Sequence, residues 1–125
     1  MKHETLKQAS IHELVAAFAK AAELHGQASV EGRHRSANTQ YARLTATWRE
    51  LRTRGEAGRS ALTGLLQDSN PRVRLWAASH ALEFTPMLAE AELERLSQGP
   101  AGVVRLDAEM TLSEWRAGNL KFMED

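Results

Sequence analysis

The side chains able to do chemistry are few in this chain, and their spacing does not assemble a reaction centre. There are five histidines, His3, His12, His25, His34 and His80. His12-Glu13 is followed by Leu14, Val15 and Ala16, so the His-Glu-x-x-His pair of a zinc helix is absent. His12 and His25 stand about 20 Å apart along a helix axis and cannot share a metal. Cysteine is absent, which removes thiolate ligands, thiol nucleophiles and disulfides. No phosphate-cradling glycine loop or nucleophile elbow occurs. Glu90, Glu92 and Glu94 alternate by two, do not share one helix face, and read as a solvated surface. Glu83 or Asp107 beside His80 is the one place where acid–base chemistry is conceivable. The expectation is a protein with no catalytic residues, no metal and no cofactor.

Binding chemistry is better represented. Arg72, Trp76, His80 and Glu83 recur at helical spacing and form one row. A tryptophan flanked by arginine and histidine has the composition of an interface hot spot. The competing reading is that Trp76 packs against a neighbouring helix hairpin. The equivalent rows are Tyr41, Thr45, Arg49 and Arg52 before it, and Val103, Asp107, Thr111 and Glu114 after it. Aligned, they would make a groove that runs from basic through aromatic to acidic. The candidate binding set is Arg49, Arg52, Arg72, Trp76, His80 and Asp107.

The elements that must position these rows are helices. The 125 residues suit one ordinary domain. They include 20 Ala and 16 Leu against 5 Val and 1 Ile, which favours helix over strand. Ser10-Ile11-His12-Glu13 has the form of a capping box and predicts a first helix over Ile11–Val30. Ala37, Tyr41, Leu44, Trp48 and Leu51 make the apolar stripe of a second, with Gly55 just past its end. A short third holds Ala61, Leu62, Leu65 and Leu66. Asn70-Pro71 starts a fourth that reaches Phe84, and Thr85-Pro86 a fifth that reaches Ser97. The sixth spans 102–117. Val73, Ala77, Ala81 and Phe84 form one core stripe of the fourth helix, and Leu75, Ala78 and Leu82 a second; Trp48 and Trp115 also fall on core stripes. Residues 1–9 read as an N-terminal segment, 10–118 as a single helical domain and 119–125 as a tail whose Leu120 and Phe122 are able to fold back.

The formal charge of zero is a cancellation. Between Arg33 and Arg74 nine arginines face three acids, whereas the residues after Arg74 carry four basic and nine acidic groups. A uniformly basic nucleic-acid coat is excluded, but a locally basic surface is not. No apolar run is long enough to span a bilayer, and no signal-peptide pattern is present, so the expected location is cytoplasmic.

Self-alignment shows an internal repeat. Arg43-Leu44-Thr45-Ala46, Arg74-Leu75-Trp76-Ala77 and Arg105-Leu106-Asp107-Ala108 are spaced by 31 residues, twice. Leu65-x-Gln67 matches Leu96-x-Gln98, and Val73 matches Val104. The run Asp68-Ser69-Asn70-Pro71-Arg72-Val73-Arg74-Leu75-Trp76-Ala77-Ala78 resembles the turn and second helix of a HEAT-type repeat. The chain from about Ile11 to Leu120 is also similar to small bacterial HEAT-like proteins. The resemblance implies an all-α fold, a right-handed α-α superhelix of about six helices in three antiparallel hairpins. It implies protein–protein binding, and it implies a structural pair between Asp68 and Arg74. The expected function is therefore a non-enzymatic protein-interaction module, an adaptor or inhibitor, that binds another protein through the solenoid groove. The alternative is nucleic-acid binding through the Arg33–Arg74 surface. No membrane partner is expected, and a weak homodimer through an uncapped end of the solenoid is an open possibility.

Overall fold

The computed structural model describes residues 3–121. Among the described residues there are seven α-helices, one 3-10 turn and no strand. The helices are α1 (His3–Gln8), α2 (Ile11–Val30), α3 (His34–Thr53), α4 (Gly55–Gly64), α5 (Pro71–Ala81), α6 (Pro86–Ser97) and α7 (Val103–Arg116). The fold is all-helical, as composition requires. The first and fifth predicted helices have the predicted bounds. The expected count of about six misses α1, which six residues of weak periodicity do not announce. The chain divides into two compact units, Met1–Leu65 and Leu66–Asp125.

In the first unit α2 packs along α3, α4 touches both, and α1 lies against α3. The capping box forms as written. Ser10 Oγ accepts the Glu13 N–H at 3.0 Å, and Glu13 Oε1 accepts the Ser10 N–H at 2.8 Å. Leu14, Phe18 and Ala22 of α2 and Leu44, Trp48 and Leu51 of α3 are all buried where these two helices pack. Trp48 is 1% exposed, as its place in the stripe predicts. Each large apolar side chain buried here contributes about 1.5–3 kcal/mol. Tyr41 is the exception in that stripe. It is 51% exposed and its ring lies 6.5 Å from that of His25.

The α3–α4 junction depends on two glycines. Gly55 has φ +63°, the left-handed conformation that ends α3 after Arg54. Gly58 lies inside α4. A Cβ there would stand 1.9 Å from the Leu51 carbonyl oxygen, so the missing side chain is what lets α4 approach the end of α3. Arg54 ties the remaining piece. Its guanidinium donates to the Leu6 and Lys7 carbonyls, both at 3.2 Å, and to Glu50 at 3.0 Å. It thereby satisfies the C-terminal carbonyls of α1 and anchors them to α3.

In the second unit α5, α6 and α7 pack pairwise. Asp68 Oδ1 accepts the Asn70 N–H and Asn70 Oδ1 accepts the Arg72 N–H, each at 2.9 Å, which turns the chain into α5 with Pro71 in its first turn. The two α5 stripes are buried as expected at Val73, Leu75, Ala77, Ala78, Ala81 and Leu82. Phe84, placed on the first stripe, is only half-buried, because α5 ends at Ala81 and Phe84 sits in the turn beyond it.

Three expectations are corrected here. Arg74 does not pair with the Asp68 carboxylate, which already serves the turn. Its guanidinium donates to the Asp68 main-chain carbonyl at 2.6 Å and to Glu92 at 3.2 Å. Glu92 is not solvated. It is buried and also accepts from Arg95 at 2.7 Å, so two guanidiniums compensate it. Trp115 is half-buried rather than core, because its Nε1 donates to Glu90 at 3.2 Å. Glu90 and Glu94 lie one turn apart on α6 and both hold Arg116. Leu120 is half-buried, and Phe122 lies outside the described residues.

Candidate functional site

The row on α5 is the candidate site that sequence and structure place alike. With two faces of α5 buried, the third carries Arg72, Trp76 and His80, all half-exposed, while Glu83, also half-exposed, sits in the turn beyond the helix. The rings of Trp76 and His80 stack with centroids 6.3 Å apart and planes 27° apart. Residues four apart on a helix stand one above the other, which brings the indole and imidazole together. Asp107 is on α7 of the same unit, half-buried. Arg49 and Arg52 are on α3 of the first unit, exposed and half-exposed respectively. All six engage in an interaction inside the protein. The geometry thus brings Trp76 and His80 together, with Arg72 in the same row. Arg49 and Arg52 belong to a separate helix in a separate unit.

The second unit also leaves large apolar side chains in solvent. Met87 and Leu88 on α6, and Val103, Leu106 and Met110 on α7, are exposed. Sequence reading missed the α7 set. The 31-residue register aligns Leu106 with Leu44 and Leu75, which are buried, whereas Leu106 is 54% exposed. No described helix follows α7 to cover that side. The signal in the sequence is the i, i+3, i+7 spacing of Val103, Leu106 and Met110.

Electrostatically the described surface is held by local pairs. Arg33 pairs with Glu31 at 3.1 Å, Arg54 with Glu50, Arg74 with Glu92, and Arg105 with Glu109 at 3.0 Å. The Glu90 carboxyl titrates below its ordinary value because Arg116 and then Trp115 donate to it. Glu13 is lowered first by the Ser10 N–H and then by the Ser10 hydroxyl. At Glu50 partial burial works the other way, but Arg54 and Thr53 outweigh it and the net shift is downward. None of these carboxyls is raised toward the range of a catalytic acid. Among the described residues no group of three His, Asp or Glu is arranged to hold a metal, and no buried side-chain polar atom lacks a partner. No described helix is long and apolar enough to cross a membrane.

The fold has a close solved counterpart. The crystal structure of the protein RPA1889 from Rhodopseudomonas palustris CGA009 superposes with a TM-score of 0.87 at 29% identity, over 94% of this chain and 98% of that one. No curated protein matches the chain significantly. A family described as a domain of unknown function, DUF2019, matches residues 12–115, which include every residue of the α5 row. With that much of its length matched, the chain belongs to the DUF2019 family.

Proposed function

We propose that the chain is a non-enzymatic protein-interaction module of HEAT-like, solenoid character, acting in the cytoplasm, and that it engages a partner protein through the α5 row. Arg72, Trp76 and His80 are the contacts proposed there, with Asp107 on α7 in the same unit; Arg49 and Arg52 on α3 are proposed as separate contacts. The observation that carries the reading is the half-exposed Trp76 stacked on His80. A large aromatic held in a fixed pose loses little entropy on binding and has much area to bury, which is why such residues dominate interface energies. The exposed apolar residues of α6 and α7 add area that a protein partner could cover.

Affinity capture from native lysate with wild-type protein, with Trp76→Ala and with His80→Ala tests it. The account expects a specific partner to be lost by about tenfold or more with Trp76→Ala, consistent with a hot spot worth over about 1.4 kcal/mol. It expects the partner to be retained with Arg59→Ala, an exposed change on α4. A captured set indifferent to both α5 variants overturns the α5 interface.

A further inference from the structure

The first unit contains a cavity that the α5 reading does not use. It lies between α1, α2 and α3, opens to solvent, and holds about 150 Å³. Its existence follows from side-chain size. Ala17 and Ala21 on one face of α2, and Ala46 on α3, are too small to fill the space between the helices, while Leu6 of α1 and Leu24 close its sides. Leu6 is fixed there because Arg54 grips the carbonyls at the end of α1. Thr47 also lines the wall, but its hydroxyl donates to the Arg43 carbonyl at 2.7 Å and offers no hydrogen to a guest.

The charged part of the lining is cationic, with the Gln40 amide of α3 beside it as a neutral polar group. Lys20 from α2 and Arg43 from α3 both contribute to the wall and both are exposed. Neither side chain has a carboxylate partner among the described residues. An apolar chamber of this size accommodates a group about as large as benzene. Two cations whose charge is not neutralised by a described carboxylate favour an anion, and the planar guanidinium fork matches the two oxygens of a carboxylate, the smallest such group to sit beside an apolar body of this size.

We infer that this cavity binds a small amphipathic carboxylate, with its short alkyl or aryl body among Leu6, Ala17, Ala21 and Leu24 and its carboxylate against Lys20 and Arg43. The inference is independent of the α5 interface, which is on the other unit.

Titration of the full chain with hexanoate, followed by amide and methyl NMR, tests it, with hexanol as the uncharged control. The expected result is saturable shifts at Leu6, Ala17, Ala21 and Leu24, with hexanoate bound about tenfold or more tightly than hexanol. Lys20→Gln with Arg43→Gln, both exposed and safe for folding, is expected to erase that preference while leaving the weak hexanol shifts. Ala17→Leu fills the chamber and is expected to abolish both, with an unchanged far-UV spectrum as the folding check. The inference is overturned if hexanoate up to about 10 mM, enough to reveal a Kd near 1 mM, leaves these residues unshifted. It is equally overturned if hexanol binds as well as hexanoate, or if the double variant keeps the preference for the anion.

Discussion

Gly58 shows how much of the first unit rests on one missing methyl group. Gly58→Ala would drive a Cβ into the Leu51 carbonyl, a main-chain atom that has no rotamer to escape by. The expected cost is at least about 1–3 kcal/mol, read as a lower melting temperature, whereas Gly64→Ala, with open space around it, is expected to cost nothing measurable. Charged residues separate in the same way by burial. Arg74→Ala leaves Glu92, whose side chain is 5% exposed, with only the mostly solvent-exposed Arg95 as compensation. A loss of about 3 kcal/mol is expected from urea unfolding. Arg116→Ala breaks more hydrogen bonds but at a surface, and less than about 1 kcal/mol is expected. The acidic partners set a pH dependence. Glu13, Glu50 and Glu90 all titrate lower in the folded chain than their ordinary value. Their contribution is therefore present in full above the ordinary Glu pKa of about 4.3 and lost as pH falls through the folded values. Thermal melts from neutral pH to about pH 3 should show the decline, and Glu90→Gln should make it shallower.

At the scale of the helix, sequence signals succeeded where the cause was local. Ser10 and Glu13 lie within one turn, and Asn70-Pro71 needs only its own backbone, so both helix starts were legible. Ser10→Ala should cost about 1 kcal/mol of stability in a denaturant melt, the usual worth of such a cap. The buried faces of α5 were legible because two apolar stripes leave only one row for polar groups. Signals failed where the cause was distant. Glu92 looks like its neighbours in a charged run, and only the fold brings Arg74 to it across 18 positions. Tyr41 and Leu106 satisfy a helical period that says which side chains share a face, but not whether another helix covers that face. The six residues of α1 become a helix with a tertiary reason, the grip of Arg54 on its last carbonyls, which no window of the sequence displays. The Lys20–Arg43 cavity was invisible for a related reason: alanines mark close packing or empty space with equal economy.

For the whole molecule, the cancelled charge has consequences of its own. The arginine-rich stretch remains, but Arg33, Arg54 and Arg74 are held by Glu31, Glu50 and Glu92. Nucleic-acid affinity built on what is left should collapse with salt, so no shift of duplex DNA is expected at about 150 mM salt. A shift that survives there would favour the alternative reading over the protein interface. The proposed interface requires that a partner protein cover Trp76 on α5. Its most direct test is fluorine NMR of the chain labelled with 5-fluorotryptophan, whose three signals from Trp48, Trp76 and Trp115 are assigned by single Trp→Phe changes. When the partner obtained by capture is added to saturation, the account predicts that the Trp76 signal shifts and loses its response to solvent while buried Trp48 stays in place. A saturated complex in which Trp76 keeps its free position and its solvent response would contradict the account.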